Sequence, residues 1–235
     1  MTHAYFITGT DTDAGKTTIS AGLLCAAKQN KRSTLAMKPV ASGCEMTAQG
    51  LRNSDALALI AQSTVQLPYS QVNPYAFAPA IAPHIAAQEA AVALRVTDLY
   101  SAAQLVLREQ ADLTLIEGAG GWRVPISSTE FLSDFAIALN LPVILVVGVK
   151  LGCINHALLT AQAIRNDGLE LAGWVANVVD PQCARLAENL ATLQLQMPAP
   201  CLAEVPHLVT ASAEQVAEYM QRAYQCLVND MFKCP

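Results

Sequence analysis

A lysine followed by a hydroxyl residue at the end of a glycine turn is an arrangement that binds phosphate. The chain carries one at Gly15-Lys16-Thr17. Backbone N–H groups at the positive end of a helix wrap a phosphate, the lysine ammonium reaches the terminal phosphates, and the threonine hydroxyl can ligate Mg²⁺. Ahead of it, His3 to Gly9 is apolar and partly β-branched or aromatic, as a short buried strand would be. Behind it, Ile19, Leu23, Leu24, Ala26 and Ala27 recur at helical spacing. Strand, glycine turn, helix is the setting that separates a nucleotide loop from a chance GKT. The spacing is unusual, with five residues between Gly9 and Gly15 in place of four.

Other polar residues gather at the ends of apolar runs. Of six lysines, Lys28, Lys31 and Lys233 read as solvated surface, whereas Lys16, Lys38 and Lys150 stand at or just beyond expected strand exits. Lys38 and Lys150 are open to two readings there, as site residues or as ordinary surface lysines. Glu117 closes the run Leu113–Ile116 and is followed by Gly118-Ala119-Gly120-Gly121, the position where an acid holds Mg²⁺ beside a phosphate loop. Asp55 opens a helix, either as N-terminal helix charge or as a second metal ligand. Asn177 ends another apolar run; its amide suits a purine edge and equally suits a turn. Trp122 and Trp174 read as core or interface residues.

The elements that must position these residues alternate. Strands are expected at Thr34–Lys38, Leu113–Glu117, Pro142–Val149, Leu171–Val179 and Cys201–Val205. Helices are expected over Lys16–Gln29, Asp55–Gln62 with Ser54 as cap, a short run from His84, Thr97 to about Gln110, Ser133 to Asn140, Ile154–Asn166, Gln182–Leu195 and Ala213–Phe232. Pro39–Asn53 reads as loop, and Gln66–Pro83, with four prolines, as an irregular excursion that is either plain surface or an active-site wall. Without repeat or linker, this pattern predicts a single domain over residues 1–235 with a doubly wound, mostly parallel α/β sheet flanked by helices. Ligands in such a fold sit beyond the carboxyl ends of the strands.

Composition narrows the function classes. The chain has 235 residues, 53% hydrophobic and 14% charged, with a net charge of −5 and no run of like charges. That supplies no electrostatic footprint for nucleic acid and agrees with a buried sheet and a surface lost to a partner. No apolar run has membrane-spanning length, and MTHAYF lacks a basic signal-peptide start, so a cytoplasmic protein is expected. The seven cysteines form no CxxC pair and are expected to be reduced packing residues; the four histidines show no metal-ligand spacing.

Taken in order, TGTDTDAGKTT, KPVASG, LRNSDALAL, VNPYAFA, EGAGGW, PVILVVGVKLGCINHALLTAQ and LAGWVANVV resemble the dethiobiotin synthetases, from Tyr5 to about Pro206. The five-residue glycine gap is the spacing that family uses. The resemblance implies a P-loop NTPase-like fold and an ATP- and Mg²⁺-dependent ligase of biotin synthesis. It would close the ureido ring of dethiobiotin from 7,8-diaminononanoate and CO₂ through a carbamate and a carbamic-phosphoric anhydride. It also implies roles. Asp13, Ala14, Gly15, Lys16, Thr17 and Thr18 would hold the triphosphate, with Gly118, Ala119 and Gly120 beside it, and Thr17, Asp55 and Glu117 the Mg²⁺. Lys16, Lys38 and Thr12 would act at the reacting groups, and Ser42 would touch substrate. Asn177 and Val178 would meet adenine, with Pro206, His207 and Leu208 lining the base pocket. Gly152, Cys153, Ile154 and Asn155 of a second subunit would hold the substrate carboxylate, making the enzyme a homodimer. Two positions depart from the family: Asp13 stands where Glu is common, and Val178 where Asp is common.

The main alternative is a partition or septum-site type of dimeric switch ATPase. Those switches resemble one another in a lysine five residues before the loop lysine, where this chain has Asp11, and membrane-binding members end in a basic helix, whereas the last helix here carries Glu214, Glu218 and Asp230 against Arg222 and Lys233. A small-molecule kinase is a second alternative, disfavoured because the arginines do not cluster into a lid.

Overall fold

Six strands form one parallel sheet in the computed structural model, which describes residues 2–228. They are β1 (His3–Gly9), β2 (Thr34–Met37), β3 (Leu113–Glu117), β4 (Val143–Val149), β5 (Leu171–Val178) and β6 (Cys201–Val205), in the spatial order β6-β5-β4-β1-β3-β2. All seven residues of β4 and all eight of β5 are buried. That is why their sequences read as unbroken apolar runs: helices cover both faces. One core face gathers Phe6, Trp122, Phe135 and Trp174; the other gathers Ile7, Leu24, Val146 and Met220.

The longer helices are α1 (Lys16–Gln29), α2 (Ser54–Gln62), α3 (Pro83–Glu89), α4 (Val96–Leu107), α5 (Leu132–Leu139), α6 (Cys153–Asn166), α7 (Leu186–Gln196) and α8 (Ala213–Val228), with a single turn at Tyr69–Val72. Val216, Met220, Tyr224 and Leu227 are all buried, so α8 lays the expected face on the sheet. Phe232 and Lys233 lie outside the described residues.

Register places the chemistry. Ile7 pairs with Glu117, Met37 with Ile116, Gly9 with Val146, and Gly148 with Asn177. The exits of five strands therefore align along one edge, with β1 central, where the chain turns from one half of the sheet to the other. That is the crevice where open α/β sheets bind ligands.

Several expected boundaries shift for local reasons. The cap of α2 is Asn53, whose Oδ1 accepts from the Ala56 N–H at 3.2 Å, so Ser54 is already helical. Arg95, not Thr97, precedes α4, which stops at Leu107 before Gln110 turns left-handed at φ 52°. Phe131 precedes α5 in place of Ser133, with Asp134 reaching back to the Phe131 N–H at 2.7 Å. Helix α7 begins at Leu186, later than Gln182, because Asp180 first closes a turn on the N–H groups of Gln182 and Cys183. The Pro39–Asn53 loop holds a hairpin, Glu45–Thr47 with Gly50–Arg52. Val40–Ala41 pairs with Tyr75–Ala76, so the proline-rich excursion is tied to the loop after β2.

No disulfide joins the described cysteines. Burial pushes the Cys201 thiol up to about 11, which keeps it unreactive at neutral pH.

Candidate active site

The loop after β1 is built around two left-handed residues, Asp13 at φ 62° and Gly15 at φ 87°. Aspartate tolerates that conformation better than most side chains, which gives a local reason for Asp13 here. Gly15 is required on two counts. Its φ suits glycine, and a Cβ there would lie 2.1 Å from Asn177 Nδ2. Asn177 donates that amide to the Ala14 carbonyl at 2.9 Å, so β5 clamps the loop from below. Gly148 lets β4 approach as closely, since a Cβ would sit 3.0 Å from Ala14 Cα. Thr10 Oγ1 accepts from the Gly148 N–H at 3.2 Å.

A cleft of about 960 Å³ opens above these exits. Its walls include Thr12, Asp13, Gly15, Lys16, Thr17, Thr18, Lys38, Ser42, Asp55, Ala119 and Gly120 among the expected site residues, together with Ala80–Pro83 from the proline-rich excursion and Arg123 from the glycine loop. The end of the excursion is thus a wall of this cleft. Glu117, fully buried, lies just beneath.

Lys38 is the hub. Its Nζ is 2.7 Å from Glu117 Oε1, 3.1 Å from Asp55 Oδ2 and 3.1 Å from the Gly118 carbonyl. Thr17 Oγ1 donates to the same Glu117 Oε1 at 2.7 Å. Burial alone would push the Lys38 ammonium down, but Glu117 and Asp55 override it and hold the group above the ordinary lysine value. Lys16 is less fully neutralised: burial, then the charge of Lys38, outweigh the carboxylates of Glu117, Asp55 and Asp13 and lower it to about 8, with the Asp11 carbonyl as acceptor at 3.3 Å. The residues fit a divalent cation. Glu117 Oε2 is buried with no hydrogen-bond partner among the described residues, and Thr17 and Asp55 lie within one side-chain contact of the same carboxylate or its lysine. A hydroxyl and two carboxylates are hard oxygen donors of the kind Mg²⁺ takes.

The remaining expected residues lie apart. Asn177 and Val178 are buried at the β5 exit, and Pro206, His207 and Leu208 follow the neighbouring β6 exit at the surface; none lines the cleft. Gly152, Cys153, Ile154 and Asn155 start α6 outside it. Cys153 is buried and its N–H is already donated to the Lys150 carbonyl at 3.0 Å. The N–H groups of Ile154 and Asn155 are therefore the ones at that helix start without an intrahelical acceptor.

Lys150 reaches Asp11 Oδ2 at 2.8 Å, and this bond holds the Asp11 carboxyl below the usual carboxylate range. Two partnerships had no sequence signal beyond their motif. Trp122 Nε1 and the Arg123 guanidinium both reach the Asp167 carboxylate at 2.7 Å, pinning the glycine loop to the end of α6.

Comparison with known proteins agrees with this geometry. A family model described as an AAA domain matches residues 3–215. The chain is 65% identical to an ATP-dependent dethiobiotin synthetase BioD of Pseudomonas aeruginosa (strain UCBPP-PA14) over 92% of this chain and 95% of that protein. It is 58% identical to the protein of the same name from Cellvibrio japonicus (strain Ueda107), with the same coverage. Among solved structures, the MinC:MinD cell division protein complex of Aquifex aeolicus is similar with a TM-score of 0.63 at 11% identity, covering 97% of this chain and 96% of that one. A ParA family ATPase from Chlorobium tepidum TLS is similar with a TM-score of 0.56 at 11% identity, covering 100% of both chains. At such identities the structures share the fold alone, that of P-loop NTPases. The sequence identity goes further, and the chain belongs to the ATP-dependent dethiobiotin synthetase family.

Proposed function

We propose that this chain forms dethiobiotin from 7,8-diaminononanoate, CO₂ and ATP, releasing ADP and phosphate, as a cytoplasmic homodimer. One observation carries the reading: 65% identity over 92% of the chain to a dethiobiotin synthetase, in a protein whose Lys16, Lys38 and Glu117 meet at the strand exits.

The loop from Asp13 to Thr18 would hold the triphosphate on backbone N–H groups and the Lys16 ammonium. Thr17, Asp55 and Glu117 would hold Mg²⁺, which when bound supplies positive charge to the phosphate oxygens. One substrate amine takes up CO₂ as a carbamate. A carbamate oxygen attacks the γ-phosphorus, the bond to the β-phosphate oxygen breaks, and ADP leaves. The second amine then attacks the carbonyl carbon, closes the ring and expels phosphate.

The protein's task is to hold the reactants in line and neutralise spreading charge. Lys38 is buried and fixed by two carboxylates, so its ammonium is oriented before reaction begins. Thr12 and Ser42 both line the same cleft. Ser42 Oγ is buried with no partner among the described residues, which suits a contact to substrate. Asn177 and Val178 end β5, and Pro206–Leu208 follow β6, whose last residue Val205 pairs with Asn177; together they would receive the base. Ile154 and Asn155 would offer N–H groups to the substrate carboxylate of the partner's site, and Leu151 and Leu159, 92% and 57% exposed nearby, suit a face covered by a second copy.

The reading is tested by incubating the purified protein with diaminononanoate, bicarbonate, Mg²⁺ and ATP and following products by mass spectrometry. Dethiobiotin and ADP should appear together and depend on both the diamine and bicarbonate. ATP turnover indifferent to the diamine, with no ring product, would return the protein to the switch ATPases. For the shared site, mixing an Ile154→Glu chain with a Lys38→Ala chain should restore part of the activity through one intact composite site. No restoration in proven mixed dimers would place each site within one chain.

A further inference from the structure

The motif VNPYAFA and the short helical turn Tyr69–Val72 that runs into it contribute no residue to the ligand set, yet they hold the most deeply buried amide of the region. Asn73 is 2% exposed. Its Nδ2 donates to the Lys38 carbonyl at 2.6 Å, and its Oδ1 accepts from the Tyr69 hydroxyl at 2.9 Å. The same hydroxyl accepts from the backbone N–H of Asn53 at 2.7 Å. Asn53 caps α2, the helix whose first turn carries Asp55. The Lys38 N–H completes the arrangement by donating to the Val72 carbonyl at 2.8 Å.

Lys38 and Asp55 thus leave different elements, the end of β2 and the start of α2, and meet at 3.1 Å. No regular hydrogen-bond ladder joins those two backbones among the described residues. Besides the Asn53 Nδ2 bond to the Ser42 carbonyl at 3.4 Å, a path through one phenol and one amide joins them. Each of its polar groups is paired: the hydroxyl gives one bond and takes one, and the amide donates to the Lys38 and Tyr75 carbonyls and accepts at its oxygen. Tyr69 is itself gripped, with the Arg52 guanidinium 4.1 Å from its ring centroid. Burial raises the phenol above its ordinary value, so it stays a donor across the working pH range. Half-satisfied buried networks are costly, so a path with every member paired is rigid.

We propose that Tyr69 and Asn73 are positioning residues for the reaction, a strut that sets the distance between the Lys38 ammonium and the Asp55 carboxylate. The proposal rests on the reading of Lys38 and Asp55 as site residues. Neither strut residue touches the cleft; both act through the backbone of the residues that do.

Tyr69→Phe removes one oxygen and keeps the ring under Arg52. It should lower kcat for dethiobiotin about tenfold while the KM for ATP, and the Kd of a fluorescent ATP analogue measured without diamine, stay within twofold. In a Lys38→Ala background the same change should cost nothing further, because the strut acts through Lys38. Asn73→Ser, which cannot span both partners, should reproduce the pattern and serves if Tyr69→Phe proves unstable in thermal denaturation. Normal kcat in Tyr69→Phe, or an equal loss in both backgrounds, overturns the strut. Normal turnover in Lys38→Ala itself overturns the site reading beneath it, a result distinguishable from failure of the strut alone.

Discussion

The two walls of the cleft hold their lysines by different means. On one side the loop Gly9–Thr18 lies between strand exits, and its shape comes from backbone: two left-handed residues, the close approach of β4 at Gly148, and the Asn177 amide on the Ala14 carbonyl. On the other side Lys38 leaves β2 into irregular chain, and its position comes from side chains: Glu117, Asp55 and the Tyr69–Asn73 pair. The first wall can present N–H groups to an anion but offers Lys16 little counter-charge. The second supplies so much that Lys38 is charged at any working pH. A triphosphate brings its own negative charge to the first wall. On the proposed reading, the reacting carbamate would meet, at the second, an ammonium already fixed in place. Binding and chemistry would thus be allotted to different kinds of structure.

The largest expected effect removes the second wall's hub. Lys38→Ala should lower kcat about a hundredfold or more, the scale for losing one preorganised charge contact, and should leave ATP binding largely intact because the first wall is untouched. It also strands Glu117, fully buried beside it, so a drop in Tm should accompany the loss. Near-normal turnover measured in steady state would break the division of labour.

The reciprocal change is at Gly15. Alanine there would need a positive φ and would press on Asn177 Nδ2. The loop must open or the clamp must release, and the Kd for ATP should rise at least about tenfold, since left-handed strain and a lost hydrogen bond each cost about 1 kcal/mol or more. Turnover at saturating ATP should fall less than affinity does. Titration with a fluorescent nucleotide beside kcat separates the two. Equal losses in both would show the walls to be one unit.

The first wall was far more legible in sequence than the second, for the same physical reason. Backbone-determined structure leaves regular traces: the apolar runs of β4 and β5, the helical spacing of α1 and the glycine turn all read correctly to within a residue or so. Side-chain-determined structure leaves almost none. Asn73 and Tyr69 are 4 residues apart in a stretch without periodicity; Asn73 belongs to the VNPYAFA run, and no sequence pattern sets Tyr69 apart. The misplaced caps share that cause. Asn53, not Ser54, caps α2 because its backbone N–H is taken by a tyrosine 16 residues away. Ser133 is buried and receives the Arg123 guanidinium at 3.1 Å, a tertiary use no local pattern announces. The lysines at strand exits were found because topology, which the alternation of elements does reveal, dictates where ligands sit.

The smallest effect concerns protons and compares the two lysines directly. Lys16 titrates at about 8 in the empty protein because burial and the Lys38 charge disfavour its ammonium. Lys38 stays charged because Glu117 and Asp55 outweigh its burial. Triphosphate adds negative charge beside Lys16, so the bound form holds its proton to higher pH. ATP binding should therefore weaken above pH 8, by up to about tenfold per unit until the bound-state value is reached, and each binding event in that range should take up part of a proton. Calorimetry of ATP binding at pH 8.5 in two buffers of different ionisation heat measures the uptake. Stability of the empty protein runs the other way. Between about 8 and the ordinary lysine value of 10.5 the unfolded chain binds more protons at this position, so this residue's contribution to folding stability rises with pH across that window. Lys16→Met should abolish the proton uptake, whereas Lys38→Met should leave it in place and move it to higher pH, because removing the neighbouring charge relieves Lys16. Uptake that survives Lys16→Met unchanged would assign the titration to another group and remove the contrast between the two lysines.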